Sequence, residues 1–465
     1  MKINKVVLLT LVFAMVSACT LEPKYKRPQV DMPFGDAVNP SKKKIAIISW
    51  EEFFTSSDLQ RVIQLALDNN RDLRVADLNI KAAQGAYGVS RSNLLPTISA
   101  TASQTTQGVP SAFAGFMPQK QYKAALSLSA YELDFFGKMR SLKKSALAEF
   151  LATQEARNVT KIAVISETVN AYIQLVFDRE ILEIAQKNLE IQNDRYRYVK
   201  LRYKNGIDSQ DDLLNVKLLI ENAKSTRETY QKLVDQDKNA LMLLTGVFNG
   251  GALPQNMQLD AIEVQESLLD LIPSKSLLFR PDIQQAEHQL KSANANIGAA
   301  RAAFFPSITL TGTVGYGSGD LNSLFDSKTW NFTPQISLPI FSGGRNFANL
   351  TISQTRQKIA IAQYEKAIQT AFREALDQLA ERKSVMKQFQ YFDQMLETRQ
   401  KSYDISNSRY KIGINSAVDV LDAKLALLTA RQNKMMIEKE YLVNLIALYK
   451  VFGGGSKVEE TVIEE

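Results

Sequence analysis

Arg409-Tyr410-Lys411-Ile412-Gly413-Ile414-Asn415-Ser416-Ala417-Val418-Asp419-Val420-Leu421-Asp422-Ala423-Lys424 decides the fold, because a related stretch stands 207 residues earlier. That copy reads Arg202-Tyr203-Lys204-Asn205-Gly206-Ile207-Asp208-Ser209-Gln210-Asp211-Asp212-Leu213-Leu214-Asn215-Val216-Lys217. Gly206 is the only glycine between Lys138 and Thr245, and Gly413 the only one between Arg345 and Phe452. Proline is absent from 119 to 253 and again from 340 to the end. Helix interiors exclude proline, and glycine marks their ends. Each copy therefore reads as the tip of a long antiparallel helical hairpin, turning at Gly206 or Gly413.

Working outward, Lys138 to Lys204 is 67 residues without a breaker. At 1.5 Å per residue, a continuous helix of that length extends about 100 Å. Such a helix must pack along other long helices. Ile162, Ile165, Val169, Tyr172 and Val176 are spaced three and four apart, and Leu421, Leu428, Met435, Leu442 and Tyr449 recur every seven residues. Both are coiled-coil-type seams, in which a methionine or aromatic is a packing residue.

Before each hairpin come two strand-like segments, near 97–107 and 121–134, then 307–316 and 330–340. In the second, Leu126, Leu128 and Ala130 alternate with Ser127 and Ser129. In the third, Ile308, Leu310, Val314 and Tyr316 alternate with polar residues, and in the fourth Trp330, Phe332, Ile336, Leu338 and Ile340 do so. Strands of about ten residues with one apolar face and aromatics near an end match a transmembrane β-barrel wall. A soluble sheet with one buried face has the same periodicity. The secretion signal described below and the aromatic ends favour the membrane. Four strands cannot close a membrane barrel, so two chains must supply eight or three chains twelve. The loops 108–120 and 317–329 are rich in turn residues. A helix spans about 58–94, with Asp58 as N-cap and Pro96 beyond its end, and another runs to about Ala303.

The N-terminus reads as a secretion signal. Lys2 and Lys5 precede an apolar run, Val6 to Val16, too short to span a bilayer. Val16-Ser17-Ala18-Cys19 resembles a bacterial lipoprotein processing box, which makes Cys19 the lipidated first residue of the mature protein. Thr20, which is not Asp, suits outer-membrane sorting by the same resemblance. The resulting division is 1–18 signal peptide, 19–57 extended arm, 58–247 first repeat, 248–275 connector, 276–455 second repeat and 456–465 disordered acidic tail.

Composition excludes several functions. The chain has 465 residues, with 56 basic and 49 acidic, and a net charge of +7. No basic cluster is interleaved with aromatics, so no nucleic-acid partner is expected. Cys19 and His288 are the only cysteine and histidine. Cysteine- and histidine-rich metal centres and Cys/His catalysis are thereby excluded, and His288 reads as a packing residue. We expect no enzyme activity, no metal, and no cofactor beyond lipid on Cys19.

The order of motifs now carries a resemblance. Tyr25-Lys26-Arg27-Pro28, Leu133-Asp134-Phe135-Phe136-Gly137-Lys138, Leu278-Phe279-Arg280-Pro281-Asp282-Ile283, the run Asn296 to Ser307 and Val418-Asp419-Val420-Leu421-Asp422-Ala423 resemble the TolC-like outer-membrane efflux channels, lipoprotein branch. The resemblance implies an α+β membrane protein with internal duplication. In it, long antiparallel helical hairpins form a trimeric α-barrel, and four strands per chain enter a twelve-stranded transmembrane barrel. It implies a homotrimer in the Gram-negative outer membrane, docked to a periplasmic adaptor and an inner-membrane transporter of the RND type. The duct would be a passive exit for drugs or other small toxic compounds.

Asp419 and Asp422 share one face at a helix start. Copies related by symmetry would form carboxylate rings that hold cations, while N-terminal capping is the simpler use of such residues. The family's matching aspartates line the periplasmic constriction, and the resemblance carries that role to Asp419 and Asp422. Asp212 and Tyr410 resemble the inter-helix latch, with Arg202 and Arg409 as further candidates. Asn415 stands where some relatives have a basic latch residue. The tips at Gly206 and Gly413 would dock the adaptor. A periplasmic adaptor or coiled-coil lipoprotein would share the hairpins and lipid but not two duplicated strand pairs. A family member exporting metal ions or proteins is the other alternative.

Overall fold

The computed structural model describes residues 20–29, 49–108, 120–248, 254, 258–259, 262–266 and 274–455. Cys19, the signal segment 1–18, the tail 456–465 and most of the 248–275 connector lie outside them. The elements, in order, are α1 (Trp50–Phe53), α2 (Ser57–Asn69), α3 (Arg71–Ser92), β1 (Ile98–Thr106), β2 (Lys120–Leu133), α4 (Lys138–Lys204), α5 (Gln210–Thr245), α6 (Pro281–Ala302), β3 (Ser307–Ser318), β4 (Lys328–Ser337), α7 (Arg345–Lys411) and α8 (Ala417–Val451). The duplication is close: α4 and α7 each have 67 residues, α5 has 36 and α8 has 35. Two compact units cut across it. One comprises Met1–Val30, Leu78–Glu155 and Gln284–Lys366, the other Asp31–Asp77, Ala156–Ile283 and Ala367–Glu465.

The first unit holds an antiparallel sheet in the order β1-β2-β3-β4. Register aligns Leu126 with Val314 and Trp330, and Leu128 with Gly312 and Phe332. These residues share a face, since side chains alternate along a strand. That face is apolar and exposed, with Trp330 at 79% and Ile336 at 70%. The opposite face aligns Ser127, Thr313 and Asn331. Among the described residues no helix is long and apolar enough to cross a membrane.

Ala130 does not continue the alternation of Leu126 and Leu128. It has φ +43°, and the register slips by one residue between Leu128 and Tyr131. The extra residue is a β-bulge, which moves the outward positions from even to odd numbers. Tyr131 and Leu133 thereby join the apolar face, opposite Leu310 and Ile308. β4 starts at Lys328 and stops at Ser337, short of Leu338 and Ile340. Pro339 has no N–H for a ladder. Gly315 is dictated by close approach, because a Cβ there would sit 2.2 Å from the Ala124 carbonyl oxygen.

The family-like motifs in this unit have local physical reasons. Asp134 accepts from the backbone N–H groups of Met139 and Arg140, each at 2.9 Å, and so caps α4. Gly137, at φ +73°, leaves room for Thr20, which a Cβ would meet at 2.9 Å. The segment 20–29 is fastened to α6. Asn294 Nδ2 donates to the Pro23 carbonyl at 2.8 Å, and buried Glu287 pairs with Arg27 and Lys291.

The second unit carries the main apolar core. Phe53, Phe54, Leu59 and Ile63 pack with Ile165, Val169, Tyr172 and Val176 of α4, Leu241 of α5, and Leu442 and Tyr449 of α8. The seam of α4 and the later part of the α8 heptad are thus buried, as their spacing requires. The expected single helix over 58–94 is two helices, broken at Asn70. Ser56 occupies the N-cap position and Asp58 lies in the first turn. Asn70 is extended (φ −61°, ψ 133°). Its Oδ1 accepts from the N–H groups of Asp72 and Leu73, at 2.9 and 3.1 Å, and its Nδ2 donates to the Leu244 carbonyl at 3.0 Å. One side chain therefore starts α3 and holds it to the end of α5. Arg280 ties the start of α6 to Asp282, Glu374 and the Val451 carbonyl.

Asn70→Ala removes both the cap and the cross-link. It should cost about 1–2 kcal/mol, read as a lower urea midpoint by circular dichroism. An unchanged midpoint would refute the role given to Asn70.

Candidate functional site

The two hairpin turns are near copies in three dimensions. In the first, the Ile207 N–H donates to the Arg202 carbonyl at 2.9 Å and the Gly206 N–H to the Tyr203 carbonyl at 3.0 Å. In the second, the Ile414 N–H donates to the Arg409 carbonyl and the Gly413 N–H to the Tyr410 carbonyl, both at 2.9 Å. This is the Schellman arrangement, which satisfies the last carbonyls of a helix and requires a left-handed residue. Gly206 and Gly413 supply it at φ +70° and +78°. Both have open space around them, so conformation and not crowding demands glycine here.

The helix that leaves each turn starts with a capping box. Ser209 Oγ accepts from the Asp212 N–H at 3.1 Å, and Asp212 Oδ2 accepts from the Ser209 N–H at 2.9 Å. Ser416 and Asp419 repeat this at 3.2 and 2.8 Å. Asp212 and Asp419 are thus equivalent residues of the two halves. Each carboxyl is held below its ordinary value, Asp212 chiefly by the Ser209 hydroxyl and Asp419 chiefly by the Ser416 backbone N–H.

Beyond the caps the halves diverge. Arg202 Nε donates to both oxygens of Asp208, at 2.9 and 3.0 Å, and its guanidinium lies over the Tyr198 ring. The equivalent of Asp208 is Asn415, which donates to Ser406 Oγ at 3.1 Å. Arg202 therefore locks its own turn, and Arg409 has no carboxylate at the matching position. Tyr410 is 47% exposed. Among the described residues no hydrogen bond joins Tyr410 to Asp212.

Asp422 makes the longer link. Arg195 of α4 donates through Nη1 to Asp422 Oδ1 of α8 at 2.6 Å. The Arg195 side chain is largely covered and that of Asp422 half exposed. This is a direct ion pair between the first hairpin and the second. Its counterparts in the other half are Ser402 and Asn215, which cannot form one. Nothing in the sequence singles out Arg195. A lone arginine on a charged helix 227 residues from its partner gives no local signal. His288 lies elsewhere, partly buried on α6, where burial and then the Lys291 charge hold its pKa down.

A membrane-type sheet and two long, unequally locked hairpins define an outer-membrane channel class. The comparisons agree. The family model described as outer membrane efflux protein matches residues 62–247 and 272–454. The chain belongs to the outer membrane efflux protein family. It is 40% identical over 453 residues to the toluene efflux pump outer membrane protein TtgC of Pseudomonas putida, covering 95% of this chain and 93% of that protein. It is 34% identical over 448 residues to the cation efflux system protein CusC of Escherichia coli, covering 95% and 96%. Among solved structures it matches the open state of the MtrE outer membrane channel of Neisseria gonorrhoeae. The TM-score is 0.84 at 34% identity, covering 94% of this chain and 98% of that one. It is therefore an outer-membrane efflux channel of a pump system.

The capping boxes generate a pH prediction. The folded-state carboxyl values of Asp212 and Asp419 lie below those of the unfolded chain. Their stabilisation is present above the ordinary carboxylate range, about 4, and is lost as pH falls through the lowered values. The protection of the Ser416 amide against hydrogen exchange, taken relative to its intrinsic rate, should fall as pH drops through the lowered Asp419 value. In Asp419→Asn, whose side chain does not titrate, that step should vanish. Its persistence would show that the cap does not hold the tip.

Proposed function

We propose that the chain is one of three copies forming a passive exit duct, lipid-anchored at Cys19 and shut at rest by its hairpin tips. The observation that carries this is the four-stranded sheet with two open edges and an exposed apolar face. Three such sheets supply twelve strands, enough for a barrel with an aqueous interior. The partners are a periplasmic adaptor and an inner-membrane transporter of the RND type. The tips offer exposed Ile207, Leu214, Ile412 and Ile414 for the adaptor. Relatives whose names specify toluene and cations are both similar to this chain. That breadth supports a duct whose cargo, whether drug, solvent or metal ion, is chosen upstream.

In this reading Asp419 and Asp422 ring the periplasmic mouth, and the Arg195–Asp422 pair holds the second hairpin against the first. Asp212, Tyr410, Arg202 and Arg409 stay latch candidates by the family resemblance alone, since within one chain Arg202 and Asp212 bond inside their own tip. Opening swings the second hairpin away once the Arg195–Asp422 pair breaks. An exposed pair contributes only about 0.2–1 kcal/mol. Three symmetry copies acting together would shift a closed–open equilibrium by roughly three times as much, on the order of 3–100-fold in population.

In planar bilayers, Asp422→Asn and Arg195→Gln should each raise resting conductance several-fold. The double variant should add little to either single one, as expected of partners in one bond. Wild-type closed-state current in both would rule the latch out. Cys19→Ser should abolish incorporation of labelled palmitate while leaving barrel insertion intact. Continued labelling would place the lipid elsewhere.

A further inference from the structure

Away from the tips, the second unit buries a carboxylate oxygen that no donor meets. Asp178 of α4 is only 2% exposed. Gln174, one turn earlier, donates through Nε2 to Asp178 Oδ2 at 2.8 Å. Asp237 of α5 stands within hydrogen-bonding reach of Asp178. Its Oδ2 is sealed from solvent and has no partner. Lys439 of α8 completes the cluster. Its Nζ donates to Gln174 Oε1 at 2.9 Å and lies 4.5 Å from the Phe177 ring centroid.

Position along the helices gives the cluster a mechanical meaning. Asp178 lies 26 residues before the end of α4 at Lys204, and Asp237 lies 27 residues after Gln210 begins α5. The two face each other across the first hairpin, about 40 Å from its turn at 1.5 Å per residue. Lys439 belongs to the second hairpin. The same few side chains therefore bring α4 and α5 together, and Lys439 fastens α8 to α4.

The charge count is incomplete. Among the described residues, the charged groups that act on Asp237 are Asp178 on α4 and Lys439 on α8. Within α5 itself, Lys238 is turned to Asp235 at 3.3 Å. Two carboxylates and one ammonium leave one negative charge uncompensated in a largely apolar setting that includes Phe177 and Ile181. Neighbouring buried carboxylates do not both ionise, and one bound proton resolves the conflict. A proton on Asp237 also makes a hydrogen bond to Asp178 possible, since two ionised carboxylates have no donor between them.

We propose that Asp178 and Asp237 share one proton, and that losing it loosens the junction where the second hairpin docks on the first. Burial first, then the hydrogen bond and charge of Asp178, push the Asp237 carboxyl up to about 7, against an opposing effect of Lys439. The sign follows from linkage. The folded-state value lies above that of an unfolded aspartate, so the stabilisation is full at acid pH and is lost as pH rises through about 7. A channel in a compartment near neutrality would work on the slope of this titration. The coupling to opening rests on the gated-duct reading, whereas the shared proton does not.

The test uses the full-length protein in detergent and in planar bilayers, across about pH 5.5 to 8.5, the range that brackets a carboxyl so raised. The thermal midpoint of the wild type should fall through neutrality. Asp237→Asn keeps the shape, cannot ionise and carries its own donors, so that fall should disappear. Lys439→Met removes the opposing cation and should move the fall to higher pH. Other groups titrating in this range, His288 included, are common to all three proteins, so the differences read Asp237. A flat wild-type profile, or the same fall in Asp237→Asn, overturns the shared proton. Resting conductance should rise over the same range in the wild type and not in Asp237→Asn. A falling midpoint with conductance indifferent to pH overturns the coupling to opening. Absence of pores at every pH would instead sink the duct reading, and the midpoints would still decide the proton.

Discussion

In a bilayer every backbone N–H and C=O must find its partner inside the protein. A sheet ordered β1-β2-β3-β4 leaves one edge of β1 and one edge of β4 without a partner strand among the described residues. Its apolar face cannot stay in water, and its edges cannot stay bare in lipid. Both demands are met together only when β4 of one copy pairs with β1 of the next. The rest of the architecture follows from this constraint. Each strand pair feeds a helical hairpin, so copies brought together by the sheet also bring their hairpins together.

The duplication supplies the scaffold, and the two tips differ where it breaks down. Turn glycines, Schellman bonds and capping boxes recur almost unchanged at the two tips. The first tip is then locked within itself by Arg202 and Asp208. The second lacks that lock, because Asn415 replaces the carboxylate, and is tied to α4 by Asp422 and Arg195 instead. At its tip the second hairpin thus has a cross-link to its neighbour in place of an internal brace. The Asp178–Asp237–Lys439 cluster has the same logic farther from the turn, since it also spans both hairpins.

Legibility in the sequence tracked the range of the physics. The bounds of α4 and the turns at Gly206 and Gly413 were readable because glycine and proline act locally. Apolar alternation located three of the four strands. It misread Ala130, because a bulge is set by register against β3 and not by the residues of β2 alone. The break at Asn70 has a local part, its cap on the N–H groups of Asp72 and Leu73, and a hidden part, its bond to the distant Leu244 carbonyl. Among the candidate residues, Asp212 and Asp419 were visible as acids at helix starts. The use of Arg202 by Asp208 was within reach, six residues apart. Arg195 and the Asp178–Asp237 contact were not, since each joins positions that only the folded hairpins bring together.

The central claim is stoichiometric and can be weighed directly. Native mass spectrometry of the full-length protein, released gently from detergent micelles, counts the chains in the folded particle. A single species of three chains plus covalent lipid is the predicted result. A folded monomer, or a dimer completing an eight-stranded barrel, would contradict the account.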